Sequence, residues 1–263
     1  MSPSVTSLLS TGACPVPRAP GRQAGAGACP HRRKQLSTTD DAPAPAAVTE
    51  LVPAAATGVA DPAPLGLAAF ALTTFLLSAL NAGWAKDTTG AQWWGYAIAY
   101  GGLIQLLAGM WEFRNRNVFG ATAFSSYGGF WIGVGLWFHF VPATVKATDL
   151  VAINRDLGWI LLAFAIFNFY MLIHATQVNM AVFLVFLTLQ LTEIFLFIGN
   201  FATKNPSLPP FNVTPVTTLI QIGGYIGVLT ALVAWYTSAA GVINGLKGKQ
   251  VFPVGKPLFA LGR

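Results

Sequence analysis

The chain has 263 residues, of which 9% are charged and 54% are hydrophobic, and its mean hydropathy is +0.58. Because soluble domains contain about 25% charged residues, this composition excludes an ordinary soluble globule and indicates a membrane protein. The formal charge of +6 comes largely from the two ends of the chain. No basic patch is interleaved with aromatic side chains, so membrane topology explains the charge better than nucleic-acid binding does.

Residues 1–57 are rich in Ala, Pro, Ser, Thr and Gly and show no apolar periodicity. This composition predicts a disordered, low-complexity tail. Cys14 and Cys29, the two cysteines of the chain, both lie in it, so the sequence indicates no disulfide framework and no metal site.

The first apolar segment follows Asp61, and no formal charge appears between Asp61 and Lys86. Asp61 is a good N-cap residue, and Pro62 then falls at the first helical position, where its missing N–H costs nothing. A run of this length predicts a transmembrane helix, since roughly 20 residues cross the hydrocarbon layer.

Thr74, Ser78 and Asn81 follow one another at helical spacing, and Phe70 lies one turn earlier on the same face. This stripe is typical of a helix that lines a pathway. It is equally typical of polar side chains that join neighbouring helices in a membrane, and both interpretations stay open.

Five further apolar segments follow, at 94–111, 121–141, 157–174, 178–199 and 216–241. The sequence therefore predicts an all-α membrane domain of six transmembrane helices over residues 58–246, with a short tail at 247–263. Six crossings place both termini on one side, and most of the 15 Lys and Arg residues fall on that side. The positive-inside rule makes this side cytoplasmic, so we expect a multi-pass protein of the plasma (inner) membrane.

Acidic and amide side chains interrupt two of these segments. Glu193 lies near the middle of the fifth segment, where an unpaired charge costs about 3 kcal/mol or more. It is either a proton-titrating group or a hydrogen-bonded structural residue. Gln105 and Glu112 share a face of the second segment, and an interfacial ion pair with Arg114 or Arg116 is the favoured interpretation of Glu112.

Small residues recur at four-residue spacing, at Gly129 and Gly133 in the third segment and at Gly223 and Gly227 in the sixth. They predict close helix contacts. The chain carries no signature of catalysis and no paired metal-ligand spacing, so we expect neither an enzyme nor a cofactor.

Several stretches together resemble the acetate uptake transporter family, which includes the succinate/acetate–proton symporters of bacteria and related fungal acetate and ammonium-export proteins. The stretches are 61–67, 78–83, 100–113, 117–128, 198–200 and 252–255. The resemblance implies a six-helix bundle in each subunit and a homo-hexameric ring in the lipid bilayer. It implies transport of acetate and other short-chain carboxylates together with protons. A passive channel for weak acids, ammonia or other small neutral solutes is the alternative.

The resemblance also implies roles for particular residues. The hydrophobic constriction of the family carries over to Phe70, Tyr127 and Leu189, with Leu187 as the alternative to Leu189. The candidate substrate pathway, chosen from the residues themselves, lies on the first two segments and consists of Asp61, Leu65, Gly66, Thr74, Ser78, Asn81 and Gln105. Glu193 and Glu112 are the candidates for proton coupling. The family signature begins with Asn where this chain has Asp61, which puts substrate preference and pH dependence in question.

Overall fold

The computed structural model describes residues 58–85, 92–144, 150–204 and 217–259. The chain divides into two units, Met1–Leu51 and Val52–Arg263, and every described residue belongs to the second unit. The predicted tail at 1–57 lies outside the described residues. Within them, the fold is helical and contains no strand.

The helices follow the predicted segments closely. Their bounds are α1 Ala63–Asn81, α2 residues 94–114, α3 Val118–Thr144, α4 Leu150–Ala175, α5 Met180–Ala202 and α6 Thr218–Lys247. Four spans are long and apolar enough to cross a membrane, namely Ala63–Asn81, Val151–Ala175, Met180–Ala202 and Thr218–Lys247. The chain is therefore an integral membrane protein.

The start of α1 differs slightly from the sequence prediction. Pro62, not Asp61, occupies the N-cap position, and Pro64 falls within the first turn, where it forfeits no intrahelical hydrogen bond. Asp61 lies one residue earlier, yet its Oδ1 atom still accepts a hydrogen bond from the Ala63 N–H at 3.0 Å. Its carboxylate therefore still satisfies a free donor of the first turn.

Helix α2 is continuous but not uniform, because π-helical turns at Ala97–Ile104 separate the α-helical Trp94–Tyr96 from Gln105–Arg114. The π-helical part contains Gly101, where an added Cβ would collide with the Thr73 hydroxyl of α1. Such turns are rare and occur mostly as local interruptions of α-helices, often at functional sites. Here the π-helical turns lie where α2 contacts α1 at Gly101, and this contact is so close that it permits only glycine.

Helix α6 packs against both α1 and α5, and its glycines make the close approach possible. An added Cβ at Gly227 would collide with the Ser78 hydroxyl, and one at Gly223 would lie 2.8 Å from Leu196 Cδ2. Gly129 and Gly133 of α3 differ, since an added Cβ at either meets nothing within 4 Å among the described residues. The predicted close contact of small residues is thus present at α6, while the α3 glycines lie on the outer surface of the chain.

Candidate functional site

A cavity of about 410 Å³ opens at the end of the bundle where α1, α3 and α5 begin. Asp61, Asn117 and Asn179 line it at the starts of these three helices. Asn117 and Asn179 also cap their own helices, since their Oδ1 atoms accept from Gly120 N at 3.1 Å and Val182 N at 2.9 Å. Three helix N-termini, which are the positive ends of the helix dipoles, therefore surround the mouth.

The inner end of this cavity is apolar. The last lining residues of α1, α3 and α5 are Phe70, Tyr127 and Leu189, each nine or ten residues beyond the polar residue at its helix start. At 1.5 Å per residue the cavity is about 15 Å deep, which is half of the ~30 Å hydrocarbon layer. The cavity thus reaches towards the middle of the membrane-embedded part of the bundle.

Phe70, Tyr127 and Leu189 belong to one buried cluster, with exposed fractions of 4%, 3% and 7%. The rings of Phe70 and Tyr127 meet edge to face, with their centroids 5.8 Å apart. Leu187 does not line the cavity and is only partly buried. Of the two leucines suggested by the resemblance, Leu189 is therefore the one that adjoins both rings.

Gln105 is the one residue of α2 in the cavity wall among the described residues, and its side chain is 1% exposed. Its Oε1 atom is buried and has no hydrogen-bond partner within the described part of the chain. An unpartnered buried polar atom is costly unless something occupies the space that it faces. Gln105 therefore brings an amide whose oxygen has no partner among the described residues into the wall of the cavity.

Behind the apolar end lies a buried hydrogen-bond network that joins α3, α4 and α5. The Tyr127 hydroxyl donates to Asn168 Oδ1 at 2.9 Å and lies 3.2 Å from Glu193 Oε1. Asn168 Nδ2 donates to Gln190 Oε1 at 2.9 Å and to Phe186 O at 3.0 Å. Glu193 Oε2 is buried and has no hydrogen-bond partner among the residues that the structure describes.

Asn168 is a functional candidate that the sequence did not reveal. It is completely buried, yet it stands alone in an apolar run of α4 and has no polar neighbour at helical spacing. Its partners come from α3 and α5, at separations of 41 and 22 positions along the chain. The only available signal was a single amide in an otherwise apolar span.

The structure does not bring most of the predicted substrate pathway of α1 to the cavity. Leu65 is 48% exposed and lies outside the lining. Gly66 lies behind the wall, where an added Cβ would lie 2.7 Å from Phe124 Cδ1. Thr74, Ser78 and Asn81 also lie away from the cavity, and Ser78 contacts α6 at Gly227.

Glu112 is fully buried, and the ion pair favoured by the sequence is not formed. Arg114 and Arg116 are exposed, whereas Glu112 is buried. Side chains two positions apart on a helix do not face each other, which separates Glu112 from Arg114, and Arg116 lies beyond the end of α2. The side chains of Asn115 and Asn117 are the polar neighbours of the Glu112 carboxylate, although neither oxygen makes a hydrogen bond of ordinary geometry among the described residues. Asp61, at the mouth of the cavity, lies within electrostatic reach of Glu112, which itself does not line the cavity.

The C-terminal segment after α6 folds back over the same end of the bundle. Val254 lines the cavity, and its carbonyl accepts from Ala181 N at 2.9 Å at the start of α5. The Asn244 side chain accepts from Val251 N and Phe252 N and donates to Phe252 O, at 2.7, 2.9 and 3.0 Å. The predicted tail thus contributes Val254 to the cavity wall.

A bundle of apolar helices with a small-molecule cavity reaching half-way into it defines an integral membrane protein with a ligand-sized vestibule. Residues 45–255 match the GPR1/FUN34/yaaH family, and the chain belongs to that family. The family resemblance seen in the sequence is therefore confirmed.

Individual relatives are similar over the same region. The chain is 41% identical to acetate permease A of Emericella nidulans over 202 residues, which cover 74% of this chain and 65% of that protein. It is 33% identical to the succinate-acetate/proton symporter SatP of Escherichia coli K12 over 202 residues, which cover 76% of this chain and 97% of that protein. The chain thus spans just under two thirds of the length of the fungal relative.

The fold is also similar to the solved structure of the bacterial acetate channel SatP. The TM-score is 0.64 at 30% sequence identity, and the match covers 75% of this chain and 99% of that one. The similarity therefore extends over nearly the whole of that bacterial protein.

Proposed function

We propose that this chain transports acetate and other short-chain carboxylates across a membrane, coupled to protons. The observation that carries the proposal is the cavity itself, which runs from three helix N-termini to an apolar end at Phe70, Tyr127 and Leu189. The named relatives, a permease, a symporter and a channel for acetate, support the same substrate.

The mouth of the cavity suits a small anion. Helix N-termini present free N–H groups and positive dipole ends, which favour a carboxylate. Asn117, Asn179 and Asn244 add amide groups that can donate hydrogen bonds. Asp61 opposes this attraction with a negative charge, so at the mouth it selects against doubly charged acids more strongly than against acetate.

The apolar inner end of the cavity excludes charged solutes. A ring of Phe70, Tyr127 and Leu189 presents apolar surface, because the Tyr127 hydroxyl is engaged by Asn168 and Glu193, so a hydrated ion loses its shell there without compensation. A carboxylate that enters together with a proton passes as a neutral acid. Gln105 lies in the wall along this path. A rotation of its side chain that exposes Oε1, which has no partner among the described residues, lets it accept the O–H of that acid.

A passive channel for weak acids is the second candidate function. A substitution in the hydrogen-bond network behind the cavity distinguishes such a channel from a symporter. Glu193 joins the Tyr127 hydroxyl and is the buried carboxyl group next to the apolar end. If it carries the coupled proton, Glu193→Gln abolishes accumulation driven by a pH gradient but preserves downhill flux. Unchanged accumulation in that variant assigns Glu193 a structural role.

The proposal includes an arrangement in the membrane. All six helices span the bilayer of the plasma (inner) membrane, with both termini in the cytoplasm, and six copies form a ring. Gly129 and Gly133 support a neighbouring copy against α3, because this chain leaves both of them exposed and small residues permit close helix contacts. The cavity mouth then faces the cytoplasm.

The experiment is uptake of labelled acetate into proteoliposomes that contain the purified full chain, with and without an imposed pH gradient. Propionate, succinate and ammonium serve as competing solutes. We expect acetate to accumulate above the equilibrium level only with the gradient. Uptake that is indifferent to the gradient contradicts symport, and no uptake above protein-free liposomes contradicts the substrate.

A further inference from the structure

We propose that Asn168 is the positioning residue that holds Tyr127 across the inner end of the cavity, and that Glu193 carries a proton in this arrangement. Asn168 does not touch the cavity, so any effect on transported molecules has to act through Tyr127. The proposal deepens the proposed function at the same site. It rests on which atoms of the buried network donate hydrogen bonds and which accept them.

The orientation of the Asn168 amide is fixed by its neighbours. Its Nδ2 atom faces Phe186 O at 3.0 Å, and a backbone carbonyl can only accept a hydrogen bond. Both Nδ2 hydrogens are therefore engaged, by this carbonyl and by Gln190 Oε1. Gln190 is held in turn, because its Nε2 atom donates to Ala165 O at 3.2 Å. The oxygen of Asn168 consequently faces Tyr127 and needs a donor.

The Tyr127 hydroxyl has one hydrogen and two neighbouring acceptors. It lies 2.9 Å from Asn168 Oδ1 and 3.2 Å from Glu193 Oε1, so the shorter contact takes the hydrogen. A hydroxyl that donates to an ionised carboxylate lies about 2.5–2.7 Å away, well inside the observed 3.2 Å. The contact with Glu193 is therefore satisfied when Glu193 is the donor and the tyrosine oxygen accepts.

No charged neighbour offers another explanation of the contact between Glu193 and Tyr127. The titratable group that faces Glu193 is Tyr127 itself, and Tyr170 of α4 is the further titratable side chain within reach of Tyr127. Helix α1 carries no titratable residue, and those of α6 are Tyr225, Tyr236 and Lys247. Arg155, Asp156 and His174 lie towards the ends of α4. No described cation pairs with Glu193.

Loss of the Glu193 proton changes which residue holds the ring. One hydrogen then serves two acceptors, and the charged carboxylate is the stronger of them. The hydroxyl turns to Glu193, the Oδ1 atom of Asn168 loses its donor, and Tyr127 is released from α4. Asn168 thus fixes the closed position of the ring only while the carboxyl group is protonated.

The first test does not depend on transport. Infrared spectra of the purified full chain show the C=O stretch of a protonated carboxylic acid, and we expect Glu193→Gln to remove one such band. Tyr127→Phe and Asn168→Leu should both shift that band, since each changes what Glu193 donates to. Spectra in which Glu193→Gln removes no carboxylic acid band overturn the protonated form, whatever the substrate proves to be.

The second test rests on the proposed function and measures the ratio of butyrate to acetate entry in proteoliposomes. We expect Asn168→Leu and Tyr127→Phe each to raise this ratio by about three- to tenfold, the equivalent of one neutral hydrogen bond. The double variant should match either single variant, because both remove the same bond. Asn200→Leu is the matched control, since Asn200 is also buried but bonds to Leu196 O of its own helix.

Independent, additive changes in the two single variants overturn the positioning role, as does a ratio in Asn168→Leu equal to that of the control. If Asn168→Leu does not yield a folded protein, the infrared comparison of the wild type with Tyr127→Phe and Glu193→Gln decides the proposal alone. If no solute enters any variant, the proposed function fails while the infrared result still stands.

Discussion

The Tyr127 hydroxyl lies 3.2 Å from Glu193 Oε1, which joins α3 to α5 directly behind the apolar end of the cavity. Tyr127 also forms part of that end, so one side chain belongs both to the cavity wall and to the buried polar network. A change in the protonation of Glu193 can therefore reach the cavity through a single residue.

Phe70→Ala should widen the inner end of the cavity, because the Phe70 ring packs edge to face on Tyr127. We expect longer carboxylic acids such as butyrate to enter faster relative to acetate. Competition of butyrate with labelled acetate in proteoliposomes measures the change. Phe75→Ala is the control, since Phe75 packs on Trp235 and does not line the cavity; equal effects of the two variants would contradict the role of Phe70.

Asp61→Asn should leave stability almost unchanged and increase acetate uptake at neutral pH. An Asn side chain keeps an acceptor for the Ala63 N–H, and it removes a negative charge from the mouth of the cavity. Initial uptake rates and thermal unfolding of both proteins test this. Asp61→Ala, which loses the acceptor as well, should have a lower midpoint; uptake by Asp61→Asn no faster than by the wild type excludes an effect of this charge.

Gly227→Leu should disrupt the fold of the chain itself, whereas Gly133→Leu should not. A side chain at Gly227 collides with Ser78, and overpacking of this kind typically costs about 1–3 kcal/mol or more. Gly133 has free space around it within the described chain, so a side chain there can only obstruct a neighbouring copy. Native mass spectrometry and thermal unfolding in detergent distinguish the two outcomes. An intact hexamer in Gly133→Leu contradicts the assembly of copies through this face of α3.

Asn244→Ala should release the C-terminal segment from the cavity wall. The Asn244 side chain makes three hydrogen bonds to residues 251 and 252, and none of them survives truncation to a methyl group. Trypsin should then cleave after Lys249, just before the residues that Asn244 anchors, faster than in the wild type, while cleavage after the exposed Lys204 stays similar. Asn244→Asp keeps the acceptor for both N–H groups and should be intermediate; equal cleavage in all three proteins contradicts the anchoring role.

The sequence allowed the helices to be located because each one contains an apolar run, and the first also has a recognisable start. Asp61 satisfies a donor of α1 from one residue outside the cap position, whereas the caps of α3 and α5, Asn117 and Asn179, became evident only in the structure. The resemblance also named Phe70, Tyr127 and Leu189, which lie in one cluster.

Features that depend on contacts between distant helices could not be inferred in this way. The stripe of Thr74, Ser78 and Asn81 fitted both a pathway and a helix contact, and only the position of Gly227 shows that Ser78 faces α6. Asn168 has no pattern along its own helix, because its partners lie on α3 and α5. The burial of Glu112 was hidden by the neighbouring arginines, which point away from it.

The most direct test of the account is chemical modification of Phe70→Cys, in a chain where Cys14 and Cys29 are replaced by serine. The account predicts that a small water-soluble thiol reagent blocks acetate uptake and that acetate slows the reaction, because residue 70 lies at the inner end of the substrate cavity. Val118→Cys, at a side chain that is 73% exposed and outside the cavity, should react without loss of uptake. Modification of Phe70→Cys that leaves uptake unchanged would contradict the account.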